Sequence, residues 1–161
     1  MESLFLIDTL LVYAVLAIGL NVLLFIPAFV YKTDKLTDFS YALTFMIISM
    51  IAYIQGPIDL PRTLLLLLVW IWAIRLGYFL WRRIHKMKKD DRFDSMRNSF
   101  FKFLGFWLLQ GASVFVLSIP VLLFLAIPSI EMNNSFLIGM FIALIGLIIE
   151  TIADVQKRKF I

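Results

Sequence analysis

No cysteine occurs in the 161 residues, and histidine occurs once, at His85. Disulfides, thiolate metal sites and cysteine nucleophiles are therefore excluded, and no multi-histidine metal site can form. Charge is scarce as well: 16% of residues are charged, where a soluble domain carries about a quarter. The sequence holds no internal repeat, low-complexity linker, glycine-rich phosphate loop, zinc motif or nucleophile elbow.

Hydrocarbon is what the chain has in excess, with 62% apolar and 16% aromatic residues. One small core cannot bury that much, so the solvent for much of the chain is lipid. Five segments have the ~18–25 apolar residues that cross a bilayer. They run over about 4–30, 39–55, 63–83, 99–127 and 136–155. Backbone in lipid must satisfy its own hydrogen bonds, so each segment reads as helix. The expected fold is all-α: a polytopic membrane bundle of about five transmembrane helices in a single domain, 1–161. Pro27 is expected to end the first helix, Pro120 to interrupt the fourth and Pro128 to close it. Asn134 or Ser135 is the expected N-cap of the fifth. The N-terminus has no basic n-region, carries Glu2 and Asp8, and lacks an A-x-A site, so it reads as a retained span.

Of the fifteen Lys and Arg, all but Arg62 and Arg75 fall at one end of these helices or in their loops. The positive-inside rule puts that end in the cytoplasm, with the N-terminus outside. The longest strongly polar run lies between Trp81 and Arg97. Lys86, Lys88 and Lys89 read as topological, lipid-facing charges. Asp90 to Arg97 interleaves acids with Arg92 and Arg97, whose guanidinia suit bidentate phosphate contacts. Nucleic acid is not an expected partner of a basic loop held against a membrane.

Charge inside a span is costly and marks a candidate site. Arg75 and Glu150 lie at similar depth and could pair, and further inward Arg82 or Arg83 is expected to stand level with Asp154. Glu150 and Asp154 share a helix face, as do Arg75, Tyr78 and Arg82. With Asp38 and Gln110, these residues are expected to converge on a crevice facing the cytoplasm. An alternative holds that they are interhelical ion pairs of a non-enzymatic, structural membrane protein with a lipid-binding cytoplasmic face. Glu150 also permits a transport or proton-relay subunit, although no pair of broken helices of the transporter kind is present.

A series of short segments resembles a known family. These are D-F-S-Y at Asp38 to Tyr41, R-T-L-L from Arg62, W-A-I-R-L-G-Y at Trp72 to Tyr78, and D-D-R-F-D-S-M-R at Asp90 to Arg97. L-Q-G at Leu109 to Gly111 and E-T-I-A-D-V-Q-K-R-K-F at Glu150 to Phe160 complete it. In order and spacing they are similar to the steroid 5-alpha-reductase-like membrane proteins, and most closely to their bacterial branch, a domain of unknown function. The resemblance implies a membrane-embedded reductase that uses NADPH on a carbon–carbon double bond conjugated to a carbonyl. The substrate would be lipid-like or steroid-like, and the setting a bacterial inner membrane. It also implies cofactor contacts at Arg75, Arg92, Arg97 and Asp154, with Asp38, Tyr78 and Glu150 as catalytic candidates and no metal. The family continues past the A-D-x-Q-K segment into a half with an arginine-histidine-proline-asparagine-tyrosine motif. The expectation is therefore the first part of a longer reductase fold, completed by further helices or by a second polypeptide.

Overall fold

The computed structural model describes residues 2–87, 96–128 and 130–157, with side chains from Asp8 onward and, in the third helix, as far as Ile84. It has five helices: α1 (Glu2–Val30), α2 (Lys35–Gln55), α3 (Leu60–Met87), α4 (Phe100–Ala126) and α5 (Asn134–Lys157). Each is long and apolar enough to cross a membrane, and no strand occurs among the described residues. The apolar segments therefore form the helices that lipid demands.

Prolines act differently from the expectation. α1 continues through Pro27 to Val30, and α4 runs unbroken through Pro120. Lipid offers a freed carbonyl no water, so leaving the helix costs more there than losing one internal bond. α1 instead ends at Lys32, in the left-handed region at φ 48°. The Thr33 N–H donates to the Ala28 carbonyl at 2.9 Å, and the Lys32 N–H to Phe29 at 3.2 Å. That double bond is a Schellman closure with lysine where glycine is usual. α5 is capped by Asn133, whose Oδ1 accepts from the Phe136 N–H at 2.9 Å, and not by Asn134 or Ser135.

α1 packs along α4 and α2 along α3, while α2 also touches α1 and α4. Small residues set these crossings. A Cβ on Gly111 would stand 2.8 Å from the Ile18 Cα, and one on Gly77 3.0 Å from the Ala42 Cβ. With lipid outside there is little hydrophobic drive between helices, so close backbone approach supplies the packing. Two apolar clusters result: Phe45, Ile48, Val114 and Leu122 at mid-bundle, and Phe25, Phe103 and Trp107 between α1 and α4. α5 lies outside both. It has no buried residue, and α3 is its main helix contact.

Candidate functional site

The polar residues separate into three clusters, because helices aim side chains around an axis as well as along it. The first joins α3 to α5. Arg75 pairs with Glu150 through one terminal nitrogen and with Asp154, at 2.5 Å, through the other. The acids are one turn apart on α5, so a single guanidinium spans both. Trp72, on the preceding turn of α3, donates its indole N–H to the second Glu150 oxygen at 2.9 Å. Arg75 is 16% exposed, Glu150 42% and Asp154 21%. One cation faces two anions and both Glu150 oxygens are engaged, while the Arg75 Nε is buried with no hydrogen-bond partner.

The second cluster surrounds a cavity of about 370 Å³ at the basic end, between α2, α3 and α4. Asp34, Thr37, Asp38 and Tyr41 form one wall, Leu76, Leu80 and Arg83 another, and Met96 and Phe106 close the rest. Arg83 approaches Asp38 at 3.3 Å, and Arg97 approaches Asp34 at 3.8 Å. Both separations exceed the ~2.7–2.9 Å of a strong charge-assisted bond. The Arg83 Nε is buried with no hydrogen-bond partner. These acids hold both arginines near the cavity.

The third cluster is sealed. Gln110 of α4 directs its amide nitrogen at the Thr37 carbonyl (2.8 Å), the Ser40 hydroxyl (2.5 Å) and the Asn21 carbonyl oxygen (3.1 Å). That nitrogen carries two protons, so the three acceptors share them. Asn21 in turn donates to Thr44 at 3.2 Å and to the Ala17 carbonyl at 2.8 Å. The network joins α1, α2 and α4 and is buried throughout. At the other end of the bundle Arg62 is fully buried. It pairs with Asp59 and donates to the Leu125 carbonyl at 3.2 Å, tying the α2–α3 turn to the end of α4.

Arg75 and Glu150 thus come together as their depths predict, and Arg75 also takes Asp154, which the depths match with Arg82 or Arg83. Asp38 and Arg97 line or flank the separate cavity, and Gln110 sits in the sealed network. The single crevice of the sequence reading is replaced by these three sites. Tyr78 is exposed and lies beside Arg82, whose guanidinium carbon is 5.7 Å from its ring centre. Arg82 and Arg83 do not reach Asp154, because Arg75 already holds it. Arg92, with the rest of Lys88 to Ser95, lies outside the described residues. Sequence reasoning missed Arg62, which reads as a surface charge until Asp59, three residues earlier, is seen as its partner. It also missed Asp34 and Arg83 as neighbours of one cavity.

Comparison with curated proteins and with solved structures gives no match. The model of one family, described as "Protein of unknown function (DUF1295)", matches residues 24–161. That span contains α2 to α5 entire, the first two polar clusters and all of the third but its α1 members Ala17 and Asn21, and the chain is a member of this family.

Proposed function

We propose that this protein is a membrane-embedded, NADPH-dependent reductase, or part of one, acting on a conjugated carbon–carbon double bond in a lipid-like or steroid-like molecule. Family membership and the ordered resemblance to steroid 5-alpha-reductase-like proteins support this reading. The observation that carries it is the cavity at the basic end. Asp38, Tyr41, Met96 and Arg97, from two segments of the resemblance far apart in sequence, meet there.

The donor chemistry fits the cofactor. A pyrophosphate or 2′-phosphate needs guanidinium donors, and Arg83 offers a buried Nε with none of its bonding used. Asp38 and Asp34 place Arg83 and Arg97 beside the cavity, where a phosphate would compete with them for the guanidinium donors. The cavity falls within the ~300–1,000 Å³ range of small-molecule pockets. It suits the nicotinamide end better than a whole dinucleotide. When bound, NADPH supplies the hydride. This chain's part is to anchor phosphate through Arg83 and Arg97, to exclude water with Leu76, Leu80 and Phe106, and to orient a substrate oxygen at Asp38 or Tyr41. Arg75 and Asp154 act at a distance in this scheme, by fixing the turn of α3. The basic end faces the cytoplasm, where NADPH is available.

NADPH is expected to raise the unfolding temperature of the purified chain in lipid nanodiscs in a concentration-dependent way. An unchanged unfolding temperature at millimolar NADPH contradicts the reading.

A structural protein is the second reading, favoured by the Arg75 clamp. It is an ion cluster that ties to α3 a helix with no buried residue of its own. On that reading Arg75→Gln lowers stability, the triple change with Glu150→Gln and Asp154→Asn recovers much of the loss, and nucleotide has no effect.

A further inference from the structure

α5 is held to the molecule differently from the other four helices. α1 to α4 pack on one another through buried residues and close glycine contacts. α5 has no buried residue, and among the described residues α3 is the only helix whose backbone it approaches within 8 Å. Its directional contacts with the bundle lie towards its two ends. At the start the Phe136 ring stacks on Phe124 of α4, with centroids 5.9 Å apart. In the last third Arg75 pairs with Glu150 and Asp154, and Trp72 donates to Glu150. Between these anchors α5 stands off. A Cβ on Gly139 or Gly146 would meet nothing within 4 Å. A cavity of about 560 Å³ has Gly139 and Ala143 on one side and Leu65, Leu68 and Val121 on the other.

We propose that α5 is a lid over the seam between α3 and α4, hinged at the α4–α5 turn and locked shut by the Arg75 clamp. In lipid, helices stay together through close packing and interhelical polar contacts, with little hydrophobic drive. A gap forfeits the first of these, because dispersion fades within about an ångström of contact. Polar contacts are then what fixes α5, and they converge on one turn of α3, at Trp72 and Arg75. The lock stands far from the hinge: Glu150 is about 21 Å along the helix axis from Phe136. Glu150 is the more exposed acid, 42% against 21% for Asp154, and is the first contact to open. Its release leaves Trp72 its edge-to-face contact with Phe45 of α2, at 4.9 Å, so the seam beneath the lid stays folded. The movement needs no ligand in the gap and is independent of the reductase reading.

Double electron–electron resonance between paired spin labels in nanodiscs tests this, and the chain has no native cysteine to remove. Labels at Ile26→Cys and Ile152→Cys, both exposed, report the locked end of α5 against α1. Labels at Val12→Cys and Ile138→Cys report the hinged end, and Ile26→Cys with Ile74→Cys reports the α1–α4 bundle. The parent is expected to give one narrow distance for each pair. Glu150→Leu with Asp154→Leu opens the lock without touching a buried residue, and Arg75 can then extend towards the headgroups. This double variant is expected to spread the Ile26–Ile152 distance by about 8 Å, the reach of a ~20° change of tilt over the ~24 Å from Phe136 to Ile152. Val12–Ile138 and Ile26–Ile74 are expected to stay as in the parent. Arg75→Gln, which breaks the clamp from the other side, is expected to give the same pattern. An Ile26–Ile152 distance unchanged in both variants overturns the proposal, since packing then holds α5. A parent distribution that is already broad overturns it too, because there is then no lock. So does equal spreading of Ile26–Ile74, which would make the clamp a support of the whole bundle.

Discussion

Arg75 neutralises two acids at once, so removing it leaves Glu150 and Asp154 as like charges one turn apart. Removing one partner of a fully buried pair costs about 3–5 kcal/mol. Glu150 is 42% exposed, so water relieves part of the strain, and Arg75→Gln is expected to cost about 2 kcal/mol. Denaturant unfolding in mixed micelles measures this, and the triple neutral variant should regain most of it. Gln110→Leu makes a different case. Leaving buried acceptors unpaired costs about 1–3 kcal/mol in water-soluble proteins. Interhelical hydrogen bonds in membranes average nearer 0.6 kcal/mol, because the separated helices also find partners. Asn21 and Ser40 remain bonded to each other at 3.2 Å. The expected loss is therefore about 1 kcal/mol, below that of Arg75→Gln, and the same unfolding experiment ranks the two. These partners were only partly legible in sequence. Depth along a helix follows from counting residues, and it matched Arg75 with Glu150. Direction around the helix decides the rest. Arg75 and Arg83 lie a little over two turns apart and point about 80° apart, so they serve different clusters.

Glycine has opposite meanings at two positions of α4. Gly111 sits where α1 and α4 touch, and a Cβ there would strike the Ile18 backbone at 2.8 Å, which no rotamer relieves. Gly111→Ala is expected to push the helices apart and cost about 1–3 kcal/mol. Gly105, also on α4, has nothing within 4 Å of its Cβ position. Gly105→Ala is expected to be neutral or to gain up to about 1 kcal/mol from helix propensity. Paired unfolding curves of the two variants check the assignment. The helices themselves were plain from apolar run length, and their ends less so. Proline rules drawn from soluble proteins placed a stop at Pro27 and a break at Pro120, where lipid favours continuation. Three adjacent capping residues, Asn133, Asn134 and Ser135, also hid which one begins α5.

For the molecule as a whole, charge placement predicts an orientation in the membrane that direct labelling tests. The absence of cysteine makes the chain a clean background for single-cysteine accessibility. In intact cells an impermeant maleimide is expected to label Met132→Cys, in the α4–α5 turn, and to leave Lys35→Cys unlabelled until the membrane is opened. The reverse pattern would invert the topology and move the basic-end cavity away from cytoplasmic nucleotide. The charge asymmetry was visible along the sequence. That Arg62 is a buried staple and not an exception to it was not, because its partners at Asp59 and Leu125 come from a turn and a distant helix end.

Equilibrium titration of NADPH, followed by the fluorescence of the reduced nicotinamide, most directly separates a nucleotide site from a purely structural bundle. It compares the parent with Arg83→Gln and Arg75→Gln in nanodiscs. The account predicts saturable binding by the parent and by the folded fraction of Arg75→Gln. The folded fraction of Arg83→Gln should bind on the order of tenfold to a hundredfold more weakly, the worth of one hydrogen bond to a charged group. No saturable binding by the parent, or equal binding by Arg83→Gln, would contradict it.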